Sequence, residues 1–241
     1  MNVLANDGIS QAGVEKLNAA GFNTTVKSID QEKIIGYINE NNIEVLLVRS
    51  ATKVRKDLID SCKSLKIIGR GGVGMDNIDV SYAKDKGIHV INTPAASSSS
   101  VAELVFAHLF GCVRSLHLSN REMPLEGDKE FKKLKKYYSA GVDLKGKTRG
   151  IVGFGRIGQS LIRRCKGFEM KVYVYDPFVS KDIIEELGGK KVEDLTEAVK
   201  SMDAISLHMP LNEKTKNIIN YGLLKTMRKN CIIINAARGG M

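Results

Sequence analysis

Gly150-Ile151-Val152-Gly153-Phe154-Gly155-Arg156-Ile157-Gly158 is the stretch on which the fold turns. Gly150-Ile151-Val152 reads as a short buried strand, and the glycines after it fall in the spacing GxGxxG. Gln159–Lys166 then reads as a helix, and KVYVYD (171–176) as a second strand closed by an acid, Asp176. Strand, glycine turn, helix, strand and acid in that order predict a dinucleotide-binding βαβ unit. Gly153 permits the tight turn, Gly155 lets backbone approach a pyrophosphate, and Gly158 lets helix and strand pack closely. The helix N-terminus turns its free N–H groups toward the phosphates. Asp176 is placed to accept hydrogen bonds from ribose hydroxyls and to repel a 2′-phosphate, which favours NAD over NADP. A glycine turn without a ligand is the alternative, and the surrounding strand, helix and acid weigh against it.

The same strand–helix rhythm extends in both directions. Upstream, Val3-Leu4-Ala5, Val45–Val48, Lys66–Gly69 and His89–Asn92 read as strands. The helical stretches between them include GVEKLNAAG, with Gly21 as its stop, Gln31–Asn41 and Lys56–Ser64. Downstream come a helix through KDIIEELG, the strand AISLHM, a helix near LLKTMRK and the strand CIIINAA. Such alternation predicts α/β architecture with parallel sheets. Between the halves, NTPAASSSSVAELVFAHLFGCVRSLHLSNREM predicts a long helix from about Ser100. Its serines are expected to cap it, with Glu103 in the first turn. It is apolar on more than one face, which calls for a second partner, a neighbouring domain or another subunit. The polar, lysine-rich segment Gly127–Gly146 reads as a connection.

Composition narrows the class. The chain has 241 residues, 43% hydrophobic and 27% charged, ordinary values for a globular protein. No apolar run has the length of a membrane span, and MNVLANDGIS lacks the pattern of a secretory signal. Cys62, Cys112, Cys165 and Cys231 form no CxxC pair and read as reduced core thiols of a cytoplasmic protein. With His89, His108, His117 and His208 they supply no clustered metal set. The net charge of +10 is mostly dispersed lysine, with one run at Lys132–Lys136. That run reads as a solvated face rather than a nucleic-acid surface. The positive field would attract small anions.

Ligands of doubly wound sheets bind beyond the carboxyl ends of the strands. There stand His208-Met209-Pro210 and Ala236-Ala237-Arg238, which should face the cofactor. Arg238 suits bidentate binding of a carboxylate and polarisation of a carbonyl, or alternatively a structural salt bridge. The first half has its own strand-end cluster, Arg49-Ser50-Ala51-Thr52 and Arg70-Gly71-Gly72-Val73-Gly74. Its glycines can offer backbone N–H groups as an anion cradle beside two arginines, which suits a doubly anionic substrate. A plain turn with surface arginines is the other reading.

VRSATKV, IGRGGVGMDNID, INTP, SSVAEL, LKGKTRGIVGFGRIG, YDP, LHMPL and NAARGG, in this order over nearly the whole chain, resemble the D-isomer-specific 2-hydroxyacid dehydrogenases. RSATKV is similar to the phosphoglycerate branch. The resemblance implies two doubly wound domains, a flavodoxin-like substrate domain at 1–95 and a Rossmann NAD-binding domain at 96–241 that is incomplete at its C-terminal end. It implies reversible oxidation of D-3-phosphoglycerate at C2, the first step of serine biosynthesis. It assigns catalysis to Arg238, the substrate carboxylate to the backbone of Val73 and Gly74, and the phosphate to Arg49 and Arg70, beside Ser50. It assigns the pyrophosphate to Arg156 and Ile157, the ribose to Asp176, and the cofactor lining to Met209, Ala236 and Ala237. Thr is frequent in the family where Met209 stands. The helix from Ser100 resembles the family's dimerisation element.

The family's acid/base histidine and its glutamate partner follow the ARGG motif, and this sequence stops at Met241. The expectation is a piece of a working dehydrogenase with Cys231–Asn235 as a free edge strand. His208 is a poor surrogate for the missing proton donor. Alone, the chain is expected to bind NAD weakly and to turn over poorly, which phosphoglycerate-dependent NADH production measures. A hydroxypyruvate or glyoxylate reductase is the runner-up. A non-catalytic NAD-sensing corepressor is the rival from another class, and Arg49, Arg70 and Arg238 together argue against it.

Overall fold

A computed structural model describes residues 1–241, which divide into two compact units, Met1–Ser97 and Ser98–Met241. The first unit runs β1 (Asn2–Ala5), α1 (Gln11–Ala19), β2 (Asn23–Val26), α2 (Ile34–Glu40), β3 (Val45–Val48), α3 (Lys56–Ser61), β4 (Ile67–Arg70), α4 (Val80–Asp85) and β5 (His89–Asn92). All its strand pairings are parallel, in the order β2-β1-β3-β4-β5. That is the flavodoxin-like order, whose direction reverses between β1 and β3. Leu4, Leu46 and Ile68 are fully buried at the centre of this sheet, packed with Ile34, Ile38 and Leu58 from the helices. Gly21, in the left-handed region at φ +85°, ends α1 as its position predicts.

The second unit opens with two helices, α5 (Ser98–Val113) and α6 (Leu116–Tyr138). It continues β6 (Thr148–Val152), α7 (Arg156–Gly167), β7 (Lys171–Tyr175), α8 (Lys181–Glu186), β8 (Lys190–Lys191), α9 (Leu195–Val199), β9 (Ala204–Leu207), α10 (Tyr221–Thr226) and β10 (Ile232–Asn235). Its sheet is also parallel, in the order β10-β9-β6-β7-β8, with a reversal between β9 and β6. One face packs on α5 and α7 through Ile151, Val174, Val105, Leu161 and Ile162, and the other on Val199, Met202 and Leu223. β10 lies at the edge.

Three expectations change. The segment from Gly127 is not a connection as far as Tyr138, because α6 runs through it with a break at Glu130. Leu134 anchors that end in the core and Lys133 pairs with Glu130, so a lysine-rich stretch becomes one wall of a helix. Ser98, Ser99 and Ser100 lie inside α5 rather than ahead of it, and Glu103 falls beyond the first turn. Ser99 and Glu103 instead take the Arg164 guanidinium, at 2.7 and 2.6 Å, tying α5 to α7. Of the four thiols only Cys62 and Cys165 are buried; Cys231 is half-buried just ahead of the edge strand β10 and Cys112 is exposed on α5.

Arg149, in the middle of β6, is fully buried, and its Nε, Nη1 and Nη2 have no partner. Burial pulls its guanidinium down only to about 10, so it stays charged at neutral pH. An unpaired charge in an apolar layer is destabilising, and a hydrophobic side chain of similar length is better tolerated. Arg149→Leu is expected to stabilise the protein by about 1–4 kcal/mol, read as a higher urea or thermal midpoint.

Candidate active site

The glycine turn lies where β6, β7 and β9 end together. The Gly153 amide donates to the Tyr175 carbonyl at 3.0 Å, and the His208 amide donates to the Val152 carbonyl at 2.7 Å. Gly153 has φ +91°, and a Cβ there would lie 2.8 Å from the His208 carbonyl carbon and 2.9 Å from the Met209 nitrogen. Only glycine suits that conformation and that approach. Gly158 meets the same limit one helical turn on, where a Cβ would stand 2.6 Å from the Gly153 carbonyl oxygen. Gly155 faces open space.

Gly155 is the N-cap of α7 and offers no side-chain cap. The first N–H groups of the helix, at Arg156 and Ile157, are therefore available to an anion in front of them. Room above Gly155 and an uncapped helix of 12 residues together fit a pyrophosphate. Asp176 follows β7 directly. Its Oδ2 accepts from the Phe154 amide at 2.7 Å and its Oδ1 from the Phe178 amide at 2.9 Å. The carboxylate thus fixes the turn, and each oxygen keeps a lone pair for a further donor.

Met209 and Pro210 follow β9, and Ala236, Ala237 and Arg238 follow β10, so these residues gather at the same end of the sheet. Asn235 shapes the last turn: its Oδ1 accepts from the Ala237 amide at 3.0 Å and its Nδ2 donates to the Arg238 carbonyl at 2.7 Å. The Arg238 guanidinium is exposed and donates to the Ala237 carbonyl at 2.9 Å. His208 is mostly buried, with Nε2 2.8 Å from the Ser206 hydroxyl and Nδ1 unpartnered. Burial, then the charge of Arg149, pulls its imidazole down to about 4. A histidine held neutral in this way is unsuited to shuttling a proton near pH 7.

In the first unit a cleft of about 580 Å³ opens beyond the ends of β1, β3, β4 and β5. Arg49 and Arg70 both line it, and neither guanidinium is paired with a carboxylate. The two glycines after β4 make room for them. A Cβ at Gly71 would touch the Arg49 stem at 3.5 Å, and one at Gly72 would overlap the Arg70 guanidinium. The Arg70 Nε is buried without a partner. Val73 is exposed, and Asn92 Nδ2 holds its carbonyl at 2.7 Å.

The anion cradle expected at Gly71 and Gly72 is not open, and neither is the turn of backbone amides at Arg49–Thr52. Asp7 fills it, accepting from the amides of Arg49, Ala51 and Thr52. The amides of Gly71 and Gly72 are taken too, by the Val48 and Arg70 carbonyls. Ser50 is exposed on this loop. Asp7, Asn77 and Asn92 escape sequence reading because each works through backbone groups distant along the chain, whereas Asn235 acts locally, on the turn two and three residues ahead.

Residues 106–241 match the D-isomer specific 2-hydroxyacid dehydrogenase, NAD binding domain. The chain belongs to the D-isomer specific 2-hydroxyacid dehydrogenase family. It is 39% identical over 241 residues to D-3-phosphoglycerate dehydrogenase of Methanocaldococcus jannaschii, covering 100% of this chain and 44% of that one. It is 42% identical over 240 residues to Hydroxypyruvate reductase of Thermotoga maritima, covering 99% of this chain and 74% of that one. A crystal structure of D-lactate dehydrogenase from Aquifex aeolicus complexed with NAD and lactic acid superposes with a TM-score of 0.78 at 29% identity, covering 100% of this chain and 70% of that one. The chain spans less than half the length of the phosphoglycerate dehydrogenases it matches, 44% in two of them. The glycine turn, the uncapped start of α7 and Asp176 all lie within the matched NAD binding domain.

Two outcomes are expected here. Gly153→Ala should cost about 3 kcal/mol in unfolding free energy, from the left-handed backbone and the contact with His208, and should weaken NADH binding measured by fluorescence titration. His208 has a folded pKa below its unfolded value, so its contribution is complete above about 6.5 and is lost as pH falls toward about 4. Unfolding in urea across that window should show a loss of about 2 kcal/mol that His208→Phe removes.

Proposed function

We propose that the chain carries the substrate and cofactor units of an NAD-dependent dehydrogenase acting at C2 of D-3-phosphoglycerate. The observation that carries this is the pair Arg49 and Arg70, two unneutralised guanidiniums on one cleft at the strand ends of the first unit. Two fixed cations suit the dianionic phosphate of a phosphorylated 2-hydroxy acid, with Ser50 on the same loop as a hydroxyl donor. The amides of Val73 and Gly74, which find no acceptor within the chain, suit its carboxylate.

NAD, when bound, supplies the hydride acceptor. Gly153, Gly155 and Gly158 shape its seat, the amides of Arg156 and Ile157 hold its pyrophosphate, and Asp176 takes the ribose hydroxyls and disfavours NADP. Met209, Pro210, Ala236 and Ala237 line the cofactor. Arg238 binds the carboxylate and stabilises charge on the C2 oxygen. His208, neutral and partly enclosed, takes no part in the proton transfer. The reading includes a small anionic substrate, a cytoplasmic setting and a homodimer through α5, whose Leu104 is exposed.

A second reading, reduction of an unphosphorylated 2-oxo acid, is favoured by the 42% identity to Hydroxypyruvate reductase. Thermal unfolding in saturating NADH separates the two. Phosphohydroxypyruvate or 3-phosphoglycerate is expected to raise the midpoint further, and Arg49→Ala or Arg70→Ala to abolish that increment while keeping the NADH shift. An equal response to glyoxylate or hydroxypyruvate would favour the second reading, and a response to NADH alone would indicate a nucleotide sensor.

A further inference from the structure

Asp7 stands directly behind β1, on the wall of the cleft that holds Arg49 and Arg70. A carboxylate is a poor neighbour for an anionic ligand, since like charges at close range repel. Its hydrogen bonds give it another task. Oδ2 accepts from the Arg49 amide at 2.6 Å, the Thr52 amide at 3.1 Å and the Ala51 amide at 3.2 Å. Oδ1 accepts from the Thr52 hydroxyl. One side chain thus binds nearly every donor of the Arg49–Thr52 turn and directs much of its negative charge into those donors.

The rest of the loop is held from the other side. Asn77 Nδ2 donates to the carbonyls of Arg49 at 3.0 Å and Thr52 at 2.7 Å, and Asn6 Nδ2 donates to the Thr52 hydroxyl at 2.8 Å. Asn6 and Thr52 are buried. The loop backbone is therefore fixed by three side chains from two other segments, while the side chains of Arg49 and Ser50 remain exposed. Burial opposes the ionised form of Asp7, but the Thr52 hydroxyl and the three amides outweigh it, so the group stays charged well into the acid range.

We propose that Asp7 is a positioning residue for anion binding in the first unit: by tying down the Arg49–Thr52 turn it presents Arg49 and Ser50 to the ligand in one arrangement. This rests on the reading of the cleft as the phospho-acid site. The mechanism is preorganisation, in which a loop ordered before binding loses less freedom on binding. It predicts a sign opposite to simple electrostatics, because removing a negative charge from an anion site would otherwise tighten it.

The test is isothermal titration of the whole chain with 3-phosphoglycerate and, separately, with NADH. Asp7→Ala is expected to weaken 3-phosphoglycerate binding at least tenfold with the NADH Kd changed less than twofold. Asp7→Asn, which keeps one acceptor oxygen and the same shape, should fall between. Faster hydrogen exchange at the Arg49 and Thr52 amides should accompany the loss. If Asp7→Ala does not fold, Asp7→Asn alone decides, by a loss of a few-fold. Unchanged or tighter binding in the Asp7 variants, with Arg49→Ala still abolishing it, overturns the role of Asp7 and spares the reading of the cleft. Absence of 3-phosphoglycerate binding by the unsubstituted chain, or its survival in Arg49→Ala and Arg70→Ala, overturns both.

Discussion

The second unit depends on one close approach, the backbone of Gly153 against the backbone leaving β9. A Cβ at that point would meet His208 and Met209 at under 3 Å. Because nothing intrudes, β6 and β9 can pair to their ends, through Val152 and Leu207, and then diverge abruptly. The divergence leaves the crevice at the reversal of strand order, and it aims the N-terminus of α7 into it. Asp176 locks the result from the other neighbour, β7, by accepting the Phe154 amide. Turn, helix and acid are therefore one device.

Both units are parallel, doubly wound sheets of different strand order, and they use the carboxyl ends of their strands differently. In the second unit the N–H groups at the start of α7 are left without a side-chain cap, and the helix dipole adds to them. In the first unit most such groups are already taken, by Asp7 at Arg49–Thr52 and by carbonyls at Gly71 and Gly72. The first unit offers instead the side chains that its closed turns hold out. Amide side chains do much of the holding: Asn77 grips the Arg49 loop, Asn92 the Val73 carbonyl, and Asn235 does the same for Arg238 in the second unit.

What could be read in the sequence follows from this division. The glycine turn and the central strands were legible because they rest on local rules, a spacing of glycines and runs such as VLLV and CIIIN. The elements that escaped are those with weak local signals. β2 is NTTV with no buried residue, β8 is two lysines, and α4 and α9 have six and five residues. The second half of α6, from Gly127 to Tyr138, reads as a connection because its lysines mask the one buried anchor, Leu134. Asp7 was invisible for another reason. Its partners lie 42 to 45 residues away, and nothing in MNVLANDGIS indicates where that carboxylate will point.

The same division bears on how one architecture serves relatives bearing different names. Backbone N–H groups at a helix start are present whatever the neighbouring side chains are, so a site built from them tolerates sequence change outside its glycines and its acid. A site built from guanidiniums on a fixed loop is different. Replacing one arginine changes the ligand it prefers without disturbing the loop, because the loop is held by groups that do not touch the ligand. Phosphoglycerate dehydrogenases and a hydroxypyruvate reductase both lie within 35–42% identity of this chain over nearly its whole length. On the proposed reading, the cofactor end is what such relatives have in common by necessity, and the side chains displayed by the Asp7-bound turn are where their substrates part company.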